Sequence, residues 1–265
     1  MRVLVTFAVE AEFAPWRRRH AFVPISMPTP IGRQAYFFYR RTVFGHDVEV
    51  LLTGIGCEEG KAGNRPLYML RELLKNQPDL CISSGLAGGL RADLQCGDIV
   101  AAREVSLRTG GDTFRSSANL LAIAKGAGAK IDMKQITETN IVFQASAKCA
   151  LSKFGDFVDM EGYHIFQILS GTRIPAISAR AISDTRDSDV PPEIGRVVNR
   201  EGRVQAVPLL KVIMKRPDRI RSLLRFGVQS RDAAKSLAGF LDRFLEEAGG
   251  NSFEAQAKSE AVAVR

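Results

Sequence analysis

The sequence holds no apolar run of the roughly 20 residues that a bilayer-spanning helix needs. Its four cysteines (Cys57, Cys81, Cys96 and Cys149) are scattered, with no CxxC pair and no histidine beside them. That pattern excludes a disulfide framework and a cysteine–histidine metal site, and it reads as reduced thiols in a cytosolic protein. The opening MRVLVTFAVEAEF places acids directly after its apolar run and has no small-residue cleavage site. It therefore reads as a first strand rather than a signal peptide. There is no internal repeat.

What is present is a chain of 265 residues, 45% hydrophobic, enough for one α/β domain with a large core. The net charge of +8 is localised. Between Arg196 and Arg243 stand twelve Lys or Arg and, up to that point, four acids, a difference of eight; the remainder of the chain is balanced. Aromatic residues for base stacking are almost missing from this basic stretch, which argues against nucleic acid as its partner. A solvated helix face and an anionic lipid surface, worth about 1 kcal/mol per well-placed cation, are its two readings.

Strands and helices alternate along the chain. Arg2 to Val9 is an apolar strand closed by Glu10 and Glu12, and Phe37–Phe44 with Val48–Leu52 forms a hairpin around Gly45-His46-Asp47. Thr53-Gly54-Ile55-Gly56 is a glycine turn into a helix over 58–75. Leu80–Ser84 is a buried strand, followed by a glycine-rich loop, Gly85-Leu86-Ala87-Gly88-Gly89-Leu90, whose backbone N–H groups can meet a ligand's oxygens. A strand begins at Gly97-Asp98-Ile99-Val100, and 108–117 is a short polar loop. Helices are expected over 117–127 and 146–153, with a strand over 136–142 between them. This alternation predicts a single α/β domain over 1–250, with a mixed, partly closed sheet flanked by helices. Residues 196–248 read as a basic helical extension, with one helix from Pro217-Asp218 and a last helix capped by Ser230. Residues 251–265 have little apolar content and read as a disordered tail.

The stretch from Phe157 to Asp187 is the focus. Val158-Asp159-Met160-Glu161 opens a helix that buries Ile165, Ile168 and Leu169. A strand over 176–182 follows, with Asp184 and Asp187 just past its end, where α/β sheets place ligands. Arg180 interrupts that strand, and a buried arginine requires a partner.

Val158-Asp159-Met160-Glu161 together with Arg180-Ala181-Ile182-Ser183-Asp184 resembles the signature of the nucleoside phosphorylase/nucleosidase superfamily. AVEAEF around Glu12, the Thr53–Gly56 turn, and Pro78 through Val100 resemble its other motifs in the same order. The resemblance spans 2–187 and implies cleavage of a purine N-glycosidic bond. It implies catalytic roles for Asp184, Glu12 and Arg180, and substrate contacts from Glu161, Met160, Gly85, Leu86, Ala87 and Ser183. The residue types suit that chemistry. A proton on purine N7 makes the base a better leaving group, and Asp184 can deliver it if burial keeps it in the acid form. Glu161 can bind the ribose hydroxyls and stabilise a cationic sugar. Glu12 can orient or deprotonate water. Arg180 can fix the carboxylates or bind an oxyanion.

Two departures from the family follow. Leu86 stands where the nucleosidases carry serine, and the phosphate-binding arginine and serine of the bacterial phosphorylases would fall at Ser83 and Leu86. Hydrolysis is thus favoured, with no cofactor or metal, and phosphate is a disfavoured co-substrate. The segment 108–117 is shorter than the family's loop over the substrate and implies a more open pocket. Within the superfamily, Thr137–Val142, Val158–Glu161, Asp189-Val190-Pro191-Pro192 and the basic 203–225 region resemble the branch associated with hopanoid biosynthesis. That branch implies adenine release from a lipid-linked nucleoside, adenosylhopane, by a cytoplasmic protein peripheral to the inner membrane. The wider family implies a homo-oligomer.

Overall fold

The computed structural model describes residues 1–27, 36–57, 65–194 and 220–250. Strand β1 (Arg2–Phe7) is buried from Val3 onward, as in a strand covered on both faces. From sequence, Glu10 and Glu12 only close this strand; in the structure they are the first-turn acids of helix α1 (Glu10–His20). Acids are favourable there, where the backbone N–H groups point outward. Strand β2 (Val23–Met27) pairs antiparallel with β3 (Tyr36–Val43), which pairs antiparallel with β4 (His46–Leu52). The β3–β4 link is the expected hairpin. Phe44 and Gly45 both have positive φ, the geometry of a two-residue primed turn.

Helix α2 (Arg65–Leu74) is the later part of the helix expected over 58–75; residues 58–64 lie outside the described residues. Strand β5 runs from Leu80 to Gly89. The glycine segment is therefore strand, not loop. The reason is pairing on both sides: Gly85 through Gly88 lie beside β10 (Ala176–Asp184), and Gly88 and Gly89 beside β9 (Phe157–Asp159). Strand β6 (Ile99–Leu107) pairs with β7 (Thr113–Arg115), so the expected loop over 108–117 contains a short hairpin.

Helix α3 (Ala118–Gly126) leads to β8 (Lys130–Thr137), which begins six residues before the expected strand. Lys130, Asp132 and Lys134 on its exposed positions hide its period from a search for apolar runs. Helix α4 (Ala145–Leu151) falls where expected. Val158 and Asp159 belong to β9 rather than to the start of a helix; helix α5 (Gly162–Leu169) begins after Glu161. Asp184 is the last residue of β10, inside the strand rather than beyond it.

Among the described residues ten strands form one sheet, in the order β10-β6-β8-β9-β5-β1-β4-β3-β2, with β7 on β6. Strand β10 also pairs with β5, so five strands close into a ring while the β1–β2 side stays open. This is the mixed, partly closed sheet that the alternation predicts.

Helix α6 (Ile220–Gly249) is one continuous helix where two were expected, and Ser230 lies within it rather than capping it. Its second half is no peripheral extension. Leu237, Phe240, Leu241, Phe244 and Leu245 are fully buried in the core beside β1 and α1. Each such side chain contributes roughly 1.5–3 kcal/mol of burial. Asp242 ties the helix to α1, accepting from Trp16 Nε1 at 2.7 Å and contacting His20 Nε2 at 2.7 Å. Within 220–250 there are five Lys or Arg and four acids, so most of the basic excess falls on 196–219, outside the described residues. The tail assigned to 251–265 lies outside them as well. All four cysteines are free thiols.

Candidate active site

The carboxyl ends of β1, β5 and β10 open onto a cavity of about 540 Å³. Glu12, Leu86, Ala87, Met160, Glu161, Ser183 and Asp184 line it, and so does Lys148. Seven of the nine candidate residues thus line one cavity. Gly85 and Arg180 lie behind it.

Glu12 is the third residue of α1. Its carboxylate turns back, Oε2 accepting from the N–H groups of Ala8 at 3.0 Å and Val9 at 3.3 Å, and Oε1 from the Leu86 N–H at 3.0 Å. Burial pushes its pKa up, against these backbone donors and the field of Arg180. Gly85 makes room for it. At φ +150, a Cβ on Gly85 would stand 3.3 Å from Glu12 Oε2 and 3.4 Å from Oε1. The glycines of β5 therefore seat carboxylates rather than cradle a ligand by a loop.

Glu161 stands at the turn from β9 into α5, and its Oε1 accepts from the Gly56 N–H at 2.7 Å. Burial, and then the charge of Asp159, push its pKa up to about 8; the Gly56 N–H and Arg180 oppose the shift. The turn at Gly56, φ +64, lies against Met160: a Cβ there would meet its Cε at 3.5 Å.

Arg180 finds its partner in Asp159, a residue the sequence placed in the motif but gave no role. Arg180 donates to Asp159 Oδ2 from Nη2 at 2.7 Å and from Nε at 3.2 Å. Ser83 accepts from the guanidinium through its carbonyl and through Oγ at 3.0 Å, and the Ala179 carbonyl accepts from Nη1 at 3.1 Å. Asp159 also accepts from Thr137 Oγ1 at 2.7 Å and from the Gly162 N–H at 2.8 Å. The pair is buried and saturated. Arg180 touches neither Glu161 nor Asp184 through a hydrogen bond, so its reach to the cavity is the field it exerts on Glu12 and Glu161.

Asp184 ends β10 where the register against β5 shifts, between Ile182 and Asp184. Such an irregularity re-aims a strand's side chain. Gly88 is its register partner, and a Cβ on Gly88 would stand 3.1 Å from Asp184 Oδ2. From sequence, burial alone keeps Asp184 in its acid form. Instead, Oδ1 accepts from Ser183 Oγ at 2.7 Å and Oδ2 accepts from the Lys148 ammonium.

Lys148 is the cavity-lining partner of Asp184 that the sequence reading missed. It is 1% exposed, on α4. Its signal was available: it is the lone charge in Ala145–Leu151, a helix of small and apolar residues. What sequence could not show is that the turn after β10 folds back on this helix, with Asp189 accepting from the Ala145 N–H at 2.8 Å.

The rest of the lining is mixed: Ala14 and Pro15 of α1, Ile141 and Val142 before α4, Val190, and Phe226 of α6 are its apolar part, and Arg18, Asn140, Ser230 and Arg231 line it as well. No residue of 108–117 lines it.

The family model described as the phosphorylase superfamily matches residues 2–211. A 5′-methylthioadenosine/S-adenosylhomocysteine nucleosidase of Aeromonas salmonicida is 25% identical over 240 residues, which cover 81% of this chain and 100% of that protein. The nucleosidase of the same description from Glaesserella parasuis is 28% identical over 174 residues, 57% of this chain and 74% of its own. Among solved structures, a Helicobacter pylori methylthioadenosine nucleosidase with 5′-methylthioadenosine in its active site matches with a TM-score of 0.67 at 17% identity, over 93% of this chain and 98% of that one. A futalosine hydrolase mutant of the same species gives 0.66 at 16%, over 93% and 99%. At these identities the structural likeness shows the fold. The family match runs from β1 through β10 and takes in Glu12, Glu161 and Asp184, and this chain belongs to the phosphorylase superfamily.

Proposed function

We propose that the protein hydrolyses the N-glycosidic bond of a 5′-modified adenosine, releasing adenine, and that its preferred substrate is adenosylhopane. The observation that carries this reading is one cavity lined by three acidic side chains, Glu12, Glu161 and Asp184, together with the apolar Ile141, Val142, Val190 and Phe226. Asp184 would receive the base and pass a proton to N7 as the bond breaks. Glu161, anchored by the Gly56 N–H, would bind the ribose hydroxyls, and its ionised form, which grows as pH approaches its pKa of about 8, would oppose the positive charge on the sugar. Glu12, fixed by three backbone donors, would orient the attacking water and take its proton. Arg180 would hold Asp159 beneath them and tune both glutamates by its charge.

Water is favoured over phosphate as nucleophile because Ser83 is buried and committed to Arg180, and Leu86 offers no hydroxyl. An apolar 5′ group suits Ile141, Val142, Val190 and Phe226. The early part of α6 supports delivery from a lipid surface: Leu224 is 65% and Val228 59% exposed, beside Arg221 and Arg225. A second reading, cleavage of methylthioadenosine or adenosylhomocysteine, is favoured by the relatives named above.

The test is adenine release from adenosine, methylthioadenosine, adenosylhomocysteine and a lipid-tailed adenosine, each with and without phosphate. Release from the lipid-tailed substrate without phosphate supports the proposal. Faster release from methylthioadenosine selects the second reading, and a requirement for phosphate overturns hydrolysis.

A further inference from the structure

Lys148 makes three hydrogen bonds, to Asp184 Oδ2, to the Thr185 carbonyl at 3.1 Å and to the Ser188 carbonyl at 2.9 Å. An ammonium has three N–H donors, so all are used and none remains for a substrate. A neutral amine has two, enough for the two carbonyls alone. The surroundings of Lys148 therefore satisfy it after it gives up the proton that faces Asp184. The acceptor, Oδ2, is the oxygen that the missing side chain of Gly88 leaves uncovered, and Gly88 lines the cavity.

We propose that Lys148 stores the proton delivered to the leaving base and passes it through Asp184. This inference rests on the nucleosidase reading. As the C1′–N9 bond breaks, its electron pair goes to the purine. The Lys148 proton moves to Asp184 Oδ2, and the carboxyl hydrogen turns to the base and transfers to N7. Water bonds to C1′ and gives one proton to Glu12. Lys148 ends neutral and Glu12 ends protonated; exchange of one proton with solvent at each restores both. Lys148 acts through Asp184, and so it is a positioning residue for the proton rather than a group that touches substrate.

The neighbouring charges are compatible with this. Cys96 feels the field of the pair, and burial followed by the Asp184 charge push its thiol up, so it stays neutral and does not compete. Arg225 of α6 adds a permanent positive charge beside Cys96. Glu12 and Glu161 line the same cavity as the pair, and Asp189 is held at the start of α4.

The experiment is the pH profile of kcat for adenine release by the wild type, Lys148→Met and Lys148→Arg. Without Lys148, Asp184 must take its proton from solvent, which it does only at acid pH. Lys148→Met is expected to lose about 100-fold near pH 8 and to recover most of the difference near pH 5. Lys148→Arg keeps the charge but cannot release its proton, so it is expected to show the same pH-dependent deficit. A deficit equal at both pH values, or wild-type rates near pH 8 in Lys148→Arg, overturns the inference. If Lys148→Met does not fold, the arginine variant decides alone. Adenine release by the wild type with either overturning result removes only the role of Lys148. No release by the wild type removes that role and the nucleosidase reading together.

Discussion

Two buried cation–carboxylate pairs sit within this site, and they are built differently. Arg180–Asp159 lies beneath the cavity with every polar atom of Asp159 and most of the guanidinium engaged by Ser83, Thr137 and Gly162. Lys148–Asp184 stands on the cavity wall, joined to backbone carbonyls on one side and open past Gly88 on the other. A planar, permanently charged guanidinium suits a fixed joint, whereas an ammonium can part with a proton. On the proposed reading, the same pairing of charges serves scaffold in one place and chemistry in the other.

The comparison can be broken by exchanging which property suffers. Asp184→Asn is expected to cost about 10³-fold in kcat, since an amide cannot carry the proton. Its thermal unfolding should move far less than its activity, as the amide oxygen still accepts from Lys148. Arg180→Met should do the reverse, lowering stability by about 3–5 kcal/mol in chemical denaturation because it strands the Asp159 charge.

Glu161 sharpens the contrast further. Its folded-state pKa, about 8, lies above the ordinary 4.5. Between those values the folded protein holds a proton that the unfolded chain has released. Stability is therefore full below pH 4.5 and declines as pH rises through 8, by on the order of 5 kcal/mol. Burial shifts Glu12 in the same direction. Glu161→Gln should flatten most of this decline in melting temperature against pH, and a slope unchanged in the variant would remove Glu161 as its source. The smallest expected effect is at the apolar wall. Phe226→Ser should lower kcat/KM for a lipid-tailed adenosine about tenfold and leave methylthioadenosine unchanged.

Much of this was legible in the sequence, for physical reasons that differ by residue. Glu12, Glu161 and Asp184 stand out because they fall in motifs that resemble the superfamily's, whereas spacing alone leaves Glu12 a turn residue after a strand, and the structure brings all three to one cavity. The partner of Arg180 was not legible, since Asp159 meets it only through the β8–β9–β5–β10 part of the ring. Gly85 through Gly89 read as a loop because glycine weakens strands, yet pairing on both sides overrides that tendency. Lys148 was hidden because its partner, Asp184, is 36 residues away and meets it only after the chain turns back beyond β10.

The most direct measurement is kcat/KM for adenine release across adenosines whose 5′ alkylthio chain lengthens one methylene at a time. If the apolar wall receives the 5′ group, kcat/KM rises by about fourfold per methylene until the wall is covered, from roughly 0.8 kcal/mol per buried CH₂. A value that is highest for the methyl group and falls with every added carbon would contradict the account.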